Sequence, residues 1–154
     1  MIDSHESEKF DLLENELLAA NLSFDEITRR YANFLLHLIG LGVFDFIDRS
    51  KLDELVPFIK EGVSRDRIES DEDFRKKCSI ELWGMEKQNR NHDDRFAELV
   101  RCVLFCFETE RRWEEEGTGD ATPIFLYYLI LKKILPDIAD EFLGYFRRGL
   151  FKSE

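Results

Sequence analysis

The sequence predicts an all-α fold, a single-domain bundle of about six or seven helices over residues 1–154. Three observations carry this expectation. Apolar residues recur at three- and four-residue spacing along nearly the whole chain. Glycine and proline are scarce, with 8 and 3 residues, which favours long regular elements over many tight turns. Fourteen phenylalanines, 4 tyrosines and 2 tryptophans supply enough apolar area for a chain of 154 residues to bury a core without disulfide or metal. No internal repeat or long linker divides the chain.

The elements follow in order. Phe10, Leu13, Leu17 and Ala20 mark a first amphipathic helix over about residues 5–20, and Asn21 can end it. Ser23 followed by Glu26 forms a capping box, with Leu22 and Ile27 placed as a hydrophobic staple. The second helix carries Ile27, Tyr31, Phe34, Leu35, Leu38 and Ile39 inward, and Gly40 and Gly42 loosen its end. "VFDFID" (43–48) alternates like a short strand, but a helical turn suits its neighbours better. Ser50 is expected to cap a short or kinked helix that contains Pro57 and stops at Gly62.

Residues 62–70 are the most polar connector. Ser70 with Asp73 then predicts a helix holding Phe74, Cys78, Leu82 and Met85 inward. A long helix from about Asn91 to Glu116 follows, with Phe96, Leu99, Val100, Val103, Cys106 and Phe107 facing in. Thr122 and Pro123, as N-cap and first helical residue, open "IFLYYLILKKIL", apolar all round and so expected to be the central buried helix. A last helix sets Ile138, Phe142, Tyr145 and Phe146 in a row.

Composition bounds the function. Thirty-three carboxylates against 22 Lys and Arg give a net charge of −11. Such a chain repels phosphate backbones, which argues against nucleic-acid binding, and attracts basic proteins. Three cysteines without framework spacing fit a reducing, cytoplasmic setting. The longest apolar run, residues 34–44, is too short to span a bilayer and includes His37. The basic, aromatic C-terminal segment looks like the closing helix of a core, so no membrane contact is expected.

Catalytic patterns are missing. The sequence has no G-x-S-x-G, no G-x-x-x-x-G-K-[ST] and no G-x-G-x-x-G. Cys102 and Cys106 share a helix face inside an apolar stripe, which reads as core thiols rather than metal ligands. The HD phosphohydrolase pattern of upstream His, adjacent His-Asp and distant Asp can be laid over His37, His92, Asp93 and Asp120 or Asp137. The surroundings, "NRNHDDRF", are polar on both sides and look like a helix start. No metal or cofactor is therefore expected.

What remains is charge. Residues 1–28 hold eight carboxylates against Lys9 alone. Two further acidic knots lie near loops, Glu69, Asp71, Glu72 and Asp73 in one, and Glu114, Glu115, Glu116 and Asp120 in the other. Trp113 beside the second knot is either an aromatic anchor for a partner or a core residue. Three carboxylates at a helix C-terminus oppose the helix dipole, an unfavourable placement that Arg111 and Arg112 can offset. The expectation is a non-catalytic binding protein. Its specific form is an acidic inhibitor or immunity protein that occludes the cationic cleft of a basic toxin such as a nuclease. The alternatives are an HD-like metal-dependent phosphohydrolase and an acidic secretion chaperone or adaptor.

Overall fold

The computed structural model describes residues 4–116, 122–148 and 150, leaving out the side chains of Ser4 and Glu116. The described residues form nine α-helices and no strand. They are α1 (Ser4–Ala19), α2 (Phe24–Gly40), α3 (Arg49–Ser64), α4 (Asp66–Ser70), α5 (Glu72–Asn89), α6 (Asp94–Phe105), α7 (Glu110–Glu116), α8 (Ile124–Lys132) and α9 (Ala139–Arg147). The all-α class holds, and the count exceeds the expected six or seven for two local reasons.

The first reason is Arg65. The polar connector expected at 62–70 is helical apart from this one residue, which takes a left-handed conformation (φ 59°) between α3 and α4. The second is Thr109. The helix expected to run from 91 to 116 breaks after Phe105, and α7 starts anew, with the Arg112 amide donating to Thr109 Oγ1 at 3.3 Å and the Trp113 amide to its carbonyl at 2.9 Å. A threonine before a charged run is ordinary N-terminal chemistry.

Several caps sit where the sequence puts them and others one or two residues away. Ser23 and Glu26 close the capping box in both directions. Asn21 ends the first segment at φ 60°. Asp48, not Ser50, caps α3 by accepting the Ser50 amide. Asp71, not Ser70, caps α5 by accepting the Phe74 amide, while Ser70 donates back to the Asp66 carbonyl. A carboxylate at a helix N-terminus gains from the dipole as well as the hydrogen bond, which favours aspartate over the adjacent serine. Helix α8 begins at Ile124, so Pro123 takes the cap position that Thr122 was expected to hold.

Gly62 does not stop α3, which runs two residues further. A Cβ there would stand 2.9 Å from Cys106 Cβ and 3.3 Å from Ala32 Cβ, so glycine lets α2, α3 and α6 close on one another. "VFDFID" is a series of turns with Phe44 and Ile47 buried.

The core is aromatic and centred on α8, where no residue from Ile124 to Lys132 is fully exposed. Tyr127 stacks on Tyr31 at 4.4 Å between ring centres, and Tyr128 on Phe10 at 4.1 Å. Tyr127 and Thr28 share a hydrogen bond of 2.9 Å, which satisfies two hydroxyls far inside. Phe142 stacks on Phe146 at 4.6 Å and meets Phe34 edge-on. Burial pushes the Cys102 thiol up to about 12 and raises the Cys106 thiol too, so both are core thiols without thiolate character at neutral pH.

The acidic first helix is tied down rather than simply solvated. Glu6 pairs with Lys132 at 2.7 Å and Glu16 with Arg147 at 2.6 Å. Glu14 accepts both the amide and the hydroxyl of Thr122. The acidic N-terminal helix thus meets the less acidic C-terminal region across the α1–α8–α9 packing.

Candidate binding face

The end of the molecule that carries the two acidic knots is organised by Arg65. This side chain is only 1% exposed. Its guanidinium donates to Asp25 on α2, to Glu69 Oε2 on α4 at 2.7 Å, and to the carbonyls of Cys106 and Glu108 at 2.8 and 2.7 Å. Burial alone would favour the neutral form, but the Asp25 and Glu69 carboxylates outweigh it and hold the cation firmly. The two carbonyls belong to the corner between α6 and α7, so one arginine joins α2, α4 and that corner. Glu69 of the first knot is thereby tied to the corner that leads into α7, the helix that carries Glu114 and Glu115. Arg111 of α7 stands near enough to help hold down the Glu72 carboxyl.

The expected contact residues have separate fates. Glu69 is bound to Arg65, and Asp71 caps α5. Glu72 makes two bonds to Arg75, at 2.9 and 3.0 Å. That pairing is the main reason its carboxyl is lowered from 4.5 to about 2. Asp73 and Glu114 are exposed on the first turn of α5 and on α7. Glu115 is exposed and 3.9 Å from Arg111, the i,i+4 pair the sequence suggests, whereas Arg112 turns back to Glu108 at 3.1 Å. The Glu116 side chain and Asp120 lie outside the described residues. Trp113 is half-buried with its ring 6.1 Å from that of Phe24, so it packs α7 toward the start of α2.

Beside this junction runs a groove of about 560 Å³ between α5, α6, α7 and α8. Its apolar wall is Ile80, Trp83, Leu104, Phe105 and Ile130. Ile80 is 71% exposed and Trp83 46%, so the groove opens to water along α5. Arg75, Lys76, Arg101 and Arg112 contribute its cations, Glu108 its one carboxylate among the lining residues, and Ser79 a hydroxyl.

Sequence reasoning missed this groove because it read α5 by its inward stripe alone. The expected stripe is Phe74, Cys78, Leu82 and Met85; the buried residues are Arg75, Cys78, Leu82 and Glu86, charged at both ends because each charge has a partner, while Phe74 and Met85 are only partly buried. The fully buried Glu86 carboxylate binds Arg90 and, at 2.6 Å, Arg101 of α6. The Arg90 bond and then the Arg101 bond keep its carboxyl low despite burial. Arg101 also reaches Glu98 at 2.7 Å. The available signal was Ile80 and Trp83, two large apolar residues three apart and off the buried stripe.

The HDD segment is built into a helix start. Asp93 caps α6, accepting the Phe96 amide, and pairs with Lys51 at 3.0 Å. Partial burial opposes ionisation, but Lys51 and the Phe96 amide lower the Asp93 carboxyl below its usual value. His92 and Asp137 are exposed, and His37 lies with its ring 5.4 Å from that of Tyr145. Among the described residues, no group of three or more His, Cys, Asp or Glu side chains gathers as metal ligands would. No helix of the described residues is long and apolar enough to cross a membrane.

The chain matches no family model, no curated protein and no solved structure with which it was compared.

Proposed function

We propose that this chain is an acidic binding protein that occludes a cationic surface on another protein, with a basic toxin such as a nuclease as the partner class. The observation that supports the reading is that α5 and α7, which carry exposed acids of the two knots, both contribute to the lining of one open groove. Asp73, Glu114 and Glu115 are exposed on these helices, and Trp83 of the groove wall is exposed as well. Carboxylates raise the encounter rate with a basic partner, and a buried aromatic slows its release. Trp83 replaces Trp113 in the anchor role, since Trp113 already packs toward Phe24.

The test is a pull-down from the native cell with washes at low and high salt, followed by charge reversal at Asp73 and Glu114. Both side chains are exposed, so the variant keeps its fold. The expected result is one basic protein retained by the wild type, with binding at least ten-fold weaker in the double variant. Retention of no specific protein, or equal retention by the variant, overturns the proposal.

A further inference from the structure

The groove along α5 has a chemistry of its own. We propose that it is a binding site for a monomeric anionic amphiphile, with an aliphatic or aromatic body and a carboxylate or similar head. This goes beyond the protein-partner reading and does not depend on it.

Size is the first argument. A volume of about 560 Å³ falls inside the roughly 300–1,000 Å³ range of small-molecule pockets, which are mostly apolar with a few placed polar groups. Five apolar side chains from three helices make the wall here. Ile80 and Trp83 stand at the water edge, where an apolar body would cover them and gain the transfer free energy of that area.

Charge is the second argument. The whole chain is strongly acidic, at −11, yet this groove is lined by four cations and one carboxylate. Three of the cations are held in place by carboxylates, two of them from outside the groove. Glu72 fixes Arg75, while Glu86 and Glu98 fix Arg101. None of these three carboxylates lines the groove. Glu108, which does, fixes Arg112. Arg101 and Arg112 are partly exposed in the lining, Arg75 is buried there, and guanidiniums held in this way need not be ordered on binding. Lys76 and Ser79 add a flexible cation and a hydroxyl at the rim. The combination of apolar wall and cationic rim complements a molecule that is apolar at one end and anionic at the other.

The experiment is calorimetric titration of the full chain with dodecanoate below its micellar concentration. Dodecyltrimethylammonium, which has the same tail and the opposite charge, is the control. Dodecanoate is expected to saturate at one per chain and to bind at least ten-fold tighter than the cationic amphiphile. The emission of Trp83, isolated in a Trp113→Phe background, should shift to the blue on binding. Ile80→Glu places a carboxylate on the exposed wall and should weaken dodecanoate binding at least ten-fold with an unchanged urea midpoint. Equal affinity for the two amphiphiles overturns the proposal. So does the absence of saturable dodecanoate binding, unchanged binding in Ile80→Glu, or binding only to anionic vesicles. Failure of this titration leaves the pull-down result standing, and the converse also holds, because the readouts are separate.

Discussion

The Arg65 junction and the α5 groove lie side by side and use the same residue types to opposite ends. At the junction a guanidinium is buried, and its donors are taken by Asp25, Glu69 and two carbonyls. At the groove Ile80 and Trp83 stand in water, and Arg101 and Arg112 are only partly buried. Charge closes one region, and apolar surface keeps the other open. Polarity in the sequence is therefore a poor guide to the outside of this molecule, because burial follows the available partners rather than the residue type.

The largest expected effect comes from removing the charge at the closed region. In Arg65→Met the carbonyls of Cys106 and Glu108 lose their donor, and two carboxylates lose their cation. Loss of such a buried hub should destabilise the fold by about 3–5 kcal/mol, read from urea denaturation. Next comes steric closure of the same region. Gly62→Val would press on Cys106 and Ala32 and should cost about 1–3 kcal/mol, as overpacking does. By contrast, a Cβ at Gly84, on α5, meets nothing within 4 Å. Gly84→Ala should raise stability by about 0.5–1 kcal/mol, since alanine loses less backbone freedom in a helix. Opposite signs at two helical glycines would sharpen the contrast, and equal signs would break it.

A pH titration reads the acid that holds a groove arginine in place. Glu72 has a folded value lowered from 4.5 to about 2 by Arg75. Its contribution to stability is complete above about pH 4.5 and is lost as pH falls toward 2. Glu72→Gln should therefore flatten the stability curve between those values and leave its shape above them unchanged.

Much of the fold was legible, for physical reasons that differ by element. The capping box at Ser23 and Glu26 is a local, reciprocal arrangement, and it formed as read. Helix α8 is apolar on every side and could only be central. The break after Phe105 was not legible, because the apolar spacing carries on to Phe107 and the corner is stabilised by Arg65, forty residues earlier. Arg65 itself sat in the most polar stretch, where nothing local marks a residue for burial. The site was read less well. The knots were taken as contact surface, but Glu69, Asp71 and Glu72 have intramolecular work. The groove combines residues from four helices, and only Ile80 and Trp83 carried a local sign of it.

The most direct test is urea unfolding of Arg65→Met, Trp83→Ala and the wild type side by side. The division between a closed charged junction and an open apolar groove predicts a large fall in the midpoint for Arg65→Met. For Trp83→Ala it predicts a change within about 0.5 kcal/mol, as for a surface residue. A fall in Trp83→Ala as large as that in Arg65→Met, or no fall in Arg65→Met, would contradict it.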